Sequence, residues 1–297
     1  MLSIISAVKG IPELTQKAFN SIWENAANPK QIEHLIVLDC KSFSKDTETH
    51  DLLDEYKNFY TSLGININVG EVCFCKNPEG YKTRNLHRDY WNPLAKKAKG
   101  DIIFGLTNDC IIQTKNFDQI LLDAFEEYKT KHRHDVVQFL VDDDSAAAKP
   151  EMRPSSAITS NKWYAGDMDK TKAIEEAQDK TKNDFCQWVI LSKSAVETIG
   201  GIVPDEIQLE GGDQYVDNIF KNTPIPSQID LTSEIIIEDH SWHTDRVTVT
   251  DEEKEAIMGE RPILDQRAYI ELGFINQKKP YHAKINYEIA RQIYNIG

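Results

Sequence analysis

The feature that most constrains the fold is a regular alternation of strand-like and helix-like segments through the first half of the chain. Short apolar runs rich in β-branched residues are separated by segments whose apolar residues recur at helical spacing. The strand-like runs are 2–8, 34–39, 65–75, 101–106 and 136–141, and the helix-like segments are 12–26, 52–63, 84–99 and 117–131. This order predicts an α/β fold with a mainly parallel sheet flanked by helices on both faces.

The second half of the chain is less regular. Residues 142–162 are polar and lack periodicity, which indicates either a surface loop or a segment that closes over a bound ligand. A strand, a short helix, a second helix and a late strand are expected at 187–191, 194–199, 211–220 and 235–240. Because no linker or repeat is visible, we expect one domain over 1–245, with a C-terminal helical extension over 246–297 packed on it.

Composition excludes several classes of protein. The formal net charge of −14 argues against a broad electrostatic grip on nucleic acid or anionic lipid. No apolar run approaches the roughly 18 residues of a membrane span, so no membrane insertion is expected. The 5 cysteines are scattered and odd in number, which favours buried free thiols. With no basic leader at the start, a cytoplasmic location is expected, which would be the host cytoplasm for a phage-encoded chain.

Polar groups that follow apolar runs are the candidate site. The run 101–106 stops at Thr107-Asn108-Asp109, and a carboxylate at the C-terminal end of a buried strand stands where open α/β sheets bind ligands. Asp39, His240 and His243 also follow predicted strands. A carboxylate, an imidazole and a diphosphate together would hold Mg²⁺ or Mn²⁺, and the imidazole tilts the choice toward Mn²⁺.

Each candidate also has a structural interpretation. Asp109 could be a turn residue that caps the next segment, and Asp213 could be an acid at a helix N-terminus. Arg84 could form a surface ion pair. His240 and His243 are three residues apart and would face opposite ways on an extended strand, so at most one is expected as a metal ligand.

A series of motifs in a fixed order resembles that of GT-A fold glycosyltransferases, especially the family-2-like group, over about residues 1–245. Two strand–helix units come first, and the second strand ends at an Asp. The later motifs are Thr83-Arg84-Asn85, Ala98-Lys99-Gly100-Asp101, the strand with Thr107-Asn108-Asp109, the helix ending in Gly200-Gly201, Gly211-Gly212-Asp213, and His240-Ser241-Trp242-His243.

The resemblance implies a Rossmann-like GT-A domain that moves a sugar from a nucleoside-diphosphate-sugar, with a UDP-sugar favoured, to a hydroxyl acceptor. A saccharide is the first choice of acceptor and a modified nucleic-acid base the second. Asp213 would be the catalytic base of an inverting reaction, and Asp109 would ligate Mn²⁺ or Mg²⁺ together with His240 or His243. The implied donor-binding residues are Val8, Asp39, Arg84, Asn85, Asn108 and Asp109.

Two departures from the family pattern keep other functions open. Thr107 stands where the first Asp of the DXD metal motif would be, and Gly212 replaces the Glu that usually precedes the catalytic Asp. A sugar-nucleotide-binding module without catalysis is therefore one alternative. A nucleotidyltransferase is another, although it would be expected to carry a Gly-rich basic loop after the first strand, and residues 8–12 are poor in both glycine and basic residues.

Overall fold

Two β-sheets and the helices that cover them make up the computed structural model, which describes residues 1–8, 10–39, 47–72, 90–143, 189–203, 216–217, 219–220, 223 and 226–240. The strands are β1 (Leu2–Val8), β2 (Ile32–Asp39), β3 (Asn66–Val72), β4 (Ile102–Gly105), β5 (Cys110–Ile112), β6 (Gln138–Leu140), β7 (Asp142–Asp143), β8 (Ile190–Ser192), β9 (Gln228–Asp230) and β10 (Ile236–Asp239). The helices are α1 (Pro12–Asn25), α2 (Thr47–Ser62), α3 (Asn92–Lys97), α4 (Phe117–His132) and α5 (Lys193–Ile199), and Pro29–Gln31 is a 3₁₀ turn.

The larger sheet has seven strands in the order β3-β2-β1-β4-β8-β6-β9. All of its neighbouring pairs are parallel except those of β8, which runs antiparallel to both β4 and β6. The predicted α/β fold with a mainly parallel sheet is therefore confirmed. Because β2 and β3 lie on one side of β1 and β4 on the other, the strand order reverses between β1 and β4, and ligands of open α/β sheets bind at such a point.

The register brings the predicted strand ends to a common edge. Val8 pairs with Leu38, so the end of β1 lies beside the end of β2. On the other side of β1, Ile5 pairs with Gly105. The next residue of the chain, Leu106, donates its N–H to the Ile5 carbonyl at 3.0 Å, so the ladder continues for one bond beyond β4. The segment that follows β4 therefore leaves the sheet beside the end of β1.

Apolar side chains cover both faces of the larger sheet. Successive residues of β1 point to opposite faces, so Ile4 packs in one core cluster with Phe19 of α1, whereas Ile5 packs in the other with Leu94 of α3. Burial on both faces explains why the strands of this sheet appear as continuous apolar runs in the sequence rather than as alternating ones. The helices α1, α2 and α4 contribute to the first cluster, and α3 and α5 to the second.

A second, three-stranded sheet has the order β5-β10-β7. In it β10 runs antiparallel to β5 and parallel to β7. The late strand expected at 235–240 is present as β10. The sequence interpretation placed the end of this strand, with His240, at the edge of the parallel sheet, but β10 belongs to the smaller sheet instead. The strands β5 and β7 have three and two residues, which is too short for a period-two pattern to be recognised.

Differences in the helices have simple local causes. Helix α2 begins at Thr47, earlier than its apolar spacing predicts, because its first turn is polar. Pro93 lies in the first turn of α3, where a missing N–H leaves no bond unmade, so the helix accommodates this proline. The loop predicted over 142–162 begins with the short strand β7, and its remainder, 144–162, lies outside the described residues, as does the predicted extension 246–297. Among the helices that are described, none is long and apolar enough to cross a membrane.

Candidate active site

The loop after β4 is tied to the loop after β1 by the side chain of Asn108. Its amide Nδ2 donates to the Gly10 carbonyl at 3.3 Å and to Thr15 Oγ1 at 2.7 Å. Asn108 is only 8% exposed, so these bonds form in a largely dry environment. Predicted from the sequence as a donor-binding residue, Asn108 also has a structural role, because it holds together the two loops that flank the switch point.

The loop between β1 and α1 carries backbone strain. Gly10 and Ile11 both have positive φ, at 63° and 52°. Glycine adopts this conformation at little cost, but a β-branched residue rarely does. The Thr15 hydroxyl donates to the Ile11 carbonyl at 3.0 Å and so helps to hold the turn. Strained residues that persist next to a sheet edge are common at ligand-binding sites, where the surrounding contacts maintain them.

Asp109 and His240 are direct neighbours across the smaller sheet. The register pairs Ile111 with Glu238 and Cys110 with Asp239, and the His240 N–H donates to the Asp109 carbonyl at 2.9 Å. Opposed residues of an antiparallel pair project from the same face, with Cα atoms about 5.5 Å apart when they exchange a hydrogen bond. The main chains of Asp109 and His240 therefore lie opposite each other at the end of this ladder.

The Asp109 side chain is half-buried and makes a weak contact with its neighbour. Cys110 Sγ lies 3.4 Å from Asp109 Oδ1 and 2.8 Å from Thr107 Oγ1. A thiol is a weak donor, so the contact satisfies little of the carboxylate's capacity to accept. Thr107, at the position of the missing first DXD acid, thus contacts the Cys110 thiol.

His240 is flanked by a second carboxylate on its own strand. Its Nε2 atom lies 3.0 Å from Glu238 Oε1, and the two side chains are 22% and 23% exposed. Glu238 Oε2 in turn accepts a hydrogen bond from Gln113 Nε2 at 2.5 Å. The spacing of two residues could have revealed the Glu238–His240 contact in the sequence, since residues i and i+2 of a strand share a face. Gln113 has no such signal because it follows β5, which is distant in the sequence.

The donor set fits a cation that shares its coordination with a substrate. The main-chain hydrogen bond brings Asp109 and His240, one carboxylate and one imidazole, opposite each other in the chain, and no group of three or more His, Cys, Asp or Glu side chains suited to a metal ion occurs within the described ranges. Structural zinc sites usually take four protein ligands. Mg²⁺ is instead commonly held by one or two protein groups together with substrate phosphates.

The remaining predicted site residues divide into two groups. Asp39 ends β2 opposite Val72, and Val8 ends β1, so both lie at the edge from which the Asp109 loop leaves. Val8 is 4% exposed and its side chain belongs to the core, so a contact with a donor would be made by its main chain. Four other predicted residues lie outside the described part of the chain: Arg84, Asn85, Asp213 and His243.

His34 is a buried titratable group that this edge does not use. Its Nε2 lies 2.9 Å from Ser6 Oγ and its Nδ1 lies 3.0 Å from the Tyr56 hydroxyl, which accepts from Trp23 Nε1 at 2.6 Å. Burial lowers the pKa of His34 to about 3. The ring is therefore neutral near pH 7 and serves the packing of β2 against α1 and α2 rather than proton transfer.

Comparison with known proteins supports the fold. No protein-family model and no curated protein matches the sequence. TarS 1-349 from S. aureus is 15% identical with a TM-score of 0.50, over 100% of this chain and 72% of that one. The longer S. aureus TarS is 14% identical with a TM-score of 0.51, over 100% of this chain and 44% of that one. GalNAc-T7, solved with UDP, GalNAc and Mn²⁺, is 13% identical with a TM-score of 0.50, over 100% of this chain and 57% of that one.

These similar structures are GT-A glycosyltransferases, and the chain has the GT-A fold. The resemblance drawn from the order of motifs is thereby confirmed at the level of fold.

Proposed function

We propose that this GT-A chain is a metal-dependent glycosyltransferase that moves a sugar from a nucleoside-diphosphate-sugar to a hydroxyl acceptor. The observation that carries the proposal is the main-chain hydrogen bond from His240 to Asp109, which brings the two residues opposite each other next to the loop that follows β4. A carboxylate and an imidazole on one face suit a divalent cation that also binds a diphosphate. The presence of UDP and Mn²⁺ in the GalNAc-T7 structure supports UDP and Mn²⁺ as first choices, with Mg²⁺ as the second.

Asp109 and His240 would hold the cation. When bound, a divalent ion neutralises the negative charge that develops on the departing nucleoside diphosphate. Asp39 and the main chain at Val8 would position the nucleoside, since both lie at the same edge of the sheet. The contact of Asn108 with Gly10 would keep the two flanking loops in place while the donor binds. Arg84 and Asn85 would contact the diphosphate.

Asp213 would act on the acceptor. A sugar hydroxyl is a weak nucleophile at neutral pH, so a carboxylate base is needed to take its proton as the new bond to the anomeric carbon forms. The bond from that carbon to the diphosphate oxygen breaks in the same step, and the nucleoside diphosphate leaves with the electron pair. A base on the side opposite the leaving group gives inversion of configuration.

The broader assignments complete the proposal. The transferase unit is residues 1–245, and 246–297 form a helical extension packed on it. A saccharide is the proposed acceptor, with a modified nucleic-acid base as the second choice, and the proposed location is the cytoplasm. The negative charge of the chain, −14, favours the saccharide, because nucleic-acid binding depends strongly on phosphate neutralisation.

A panel of sugar nucleotides tests this function. The melting temperature of the chain would be measured with each nucleotide, with and without Mn²⁺, since a ligand that binds the folded form raises it. We expect UDP-sugars with Mn²⁺ to give the largest increase, and the best donor to be hydrolysed or transferred by the wild type but not by Asp109→Ala. Absence of any response would contradict the proposal. Binding without turnover would instead indicate a binding module, and release of pyrophosphate from a nucleoside triphosphate would indicate a nucleotidyltransferase.

A further inference from the structure

We propose that the groove between α1 and α2 is a second saccharide-binding site, separate from the catalytic edge of the sheet. The groove has a volume of about 340 Å³, which falls within the size range of small-molecule sites. The inference rests on the proposed function in one respect, namely that the saccharide held here would belong to the acceptor.

The groove has an aromatic wall that extends from the core to the surface. Tyr56 is buried, Tyr60 is half-buried and Phe59 is 59% exposed. The ring centroids of Tyr56 and Tyr60 are 4.8 Å apart, and those of Tyr60 and Phe59 are 5.0 Å apart with an interplanar angle of 84°. Because ring pairs with this geometry attract each other, the exposed ring of Phe59 is supported by Tyr60.

Polar side chains line the groove beside these rings, namely Gln16, Asn20 and Glu55. Asn20 Oδ1 accepts a hydrogen bond from the Tyr60 hydroxyl at 3.0 Å, which leaves the N–H donors of the Asn20 amide for a ligand. Within the part of the chain that the structure describes, the side chains of Gln16 and Glu55 form no hydrogen bond or ion pair. The groove therefore combines an exposed aromatic ring with unused donors and acceptors.

This combination suits a sugar better than other ligands. A pyranose has C–H groups that pack on an aromatic face, and hydroxyls around its rim that bond to amides and carboxylates. An anionic ligand is disfavoured, because Glu55 is the one charged residue that lines the groove and the chain has a net charge of −14. A stable protein interface usually involves roughly 20–30 residues on each side, whereas nine residues line this groove.

The groove lies along α1, beyond the turn at the catalytic edge. Helix α1 begins at Pro12, directly after the turn at Gly10 and Ile11, and Gln16 and Asn20 follow in its next two turns. At about 1.5 Å per residue, these two side chains start roughly 6 and 12 Å along the helix. An oligosaccharide held in the groove would therefore keep an acceptor close to the catalytic edge, and we expect oligosaccharides rather than monosaccharides to bind.

The first test observes the groove directly. The full chain would be labelled with 4-fluorophenylalanine, and the ¹⁹F signal of Phe59 would be identified by its absence in Phe59→Leu. The probes are three neutral oligosaccharides: cellohexaose, maltohexaose and chitohexaose. We expect at least one of them to shift the Phe59 signal. No shift with any of the three would overturn the inference, and so would a signal that depends on protein concentration, which would assign the groove to a second copy of the chain.

The second test measures affinity by isothermal titration calorimetry with the probe that binds best. Phe59→Leu keeps an apolar side chain but removes the ring, so the affinity should fall about 10-fold, whereas Phe59→Tyr should retain it. The matched control is Leu63→Ala, because Leu63 is 53% exposed in the turn after α2 but does not line the groove. Equal affinity in Phe59→Leu and Phe59→Tyr would overturn the inference.

These binding measurements require neither a donor nor a metal, so they separate the inference from the proposed function. Saccharide binding in the groove of a chain that binds no sugar nucleotide would support the site and overturn its link to transfer. Sugar transfer by a chain whose groove binds none of the probes would overturn the inference and leave the proposed function intact.

Discussion

Carboxylates at the two edges of the larger sheet differ in how many hydrogen bonds they accept. At the amino-terminal edge, Glu33 is 1% exposed and its Oε1 accepts hydrogen bonds from Ser3 Oγ and the Lys99 N–H, both at 2.5 Å. At the carboxyl-terminal edge, the described contacts of Asp109 include no comparably strong donor to its carboxylate, which receives a thiol at 3.4 Å. A carboxylate that the fold satisfies is structural, whereas one with unused acceptor capacity at a switch point is available to a ligand.

The amino-terminal edge is also the more tightly packed of the two. Gly100 donates its N–H to Ser3 Oγ at 2.7 Å, and the next residue, Asp101, accepts from the amino group of Met1 at 2.8 Å. These contacts join the start of β1 to the segment before β4. The carboxyl-terminal edge instead contains the left-handed turn at Gly10 and Ile11. The contrast suggests that stability and function depend on different ends of the same strands, and four predictions test it.

The largest effect is expected for Asp109→Asn at the carboxyl-terminal edge. It should lower kcat/KM for sugar transfer by at least about 100-fold, because a metal contributes several kcal/mol of charge stabilisation. The unfolding midpoint in urea should not change. Asp101→Asn, the matched control at the other edge, should retain full activity. Equal activity in both variants would remove the functional distinction between the edges.

The second prediction concerns Gly100→Ala. An added Cβ would lie 2.5 Å from the Ser3 nitrogen and 2.8 Å from the Met1 carbonyl oxygen, and neither backbone atom can move freely. Overpacking of this kind should lower the free energy of unfolding by about 1–3 kcal/mol. The comparison variant, Gly200→Ala, meets no atom within 4 Å and costs only the strain of a positive φ, roughly 1 kcal/mol. Chemical denaturation of both variants measures the difference, and a larger loss for Gly200→Ala would contradict the close packing at Gly100.

The third prediction removes the buried carboxylate. Glu33→Ala leaves the Lys99 N–H and the Ser3 hydroxyl without their acceptor, so the free energy of unfolding should fall by about 1–3 kcal/mol. Transfer activity at a temperature where the variant is folded should match that of the wild type. A loss of activity greater than the loss of folded protein, judged by circular dichroism, would show that this edge also serves the reaction.

The fourth prediction is a pH dependence of stability, expected from His34, which lies between the two edges. Its pKa is about 3 in the folded chain and 6.5 for an unperturbed histidine, so between these values the unfolded chain binds more protons. Stability should therefore fall as the pH decreases from about 6.5 toward 3, by up to about 1.4 kcal/mol per pH unit. Urea denaturation from pH 7 to 4 should show a shallower slope for His34→Gln. Parallel slopes would contradict the assignment.

Much of the fold could be predicted because local sequence patterns specify where its strands and helices begin and end. Strands β1 and β2 are buried on both faces, so their apolar runs were visible, and their ends at Val8 and Asp39 agree with prediction. The end of α5 at Gly200, with φ of 91°, was equally readable because few other residues adopt that conformation. The antiparallel direction of β8 could not be predicted, since an apolar run has the same composition in either direction.

The candidate site was predictable only in part. Asp109 was identified because it ends an apolar run, but its partner depends on β10 pairing with β5, more than a hundred residues away in the chain. Three-residue strands contain too little pattern to specify such pairing. The contact of Gln113 with Glu238 depends on the same register and was not expected from the sequence.

The sequence by itself determined the α/β class and the strands that supply the carboxyl-terminal edge, and it proposed Asp109 as a candidate acid there, because burial and turn formation leave local signals. The tertiary structure decided that the end of β10, in a separate small sheet, bonds to the main chain of this acid through His240. It also decided that the buried Glu33 carboxylate accepts structural hydrogen bonds from Ser3 and Lys99. The reason is that pairing between distant segments depends on their complementary shape and hydrogen-bonding groups, which no single segment contains.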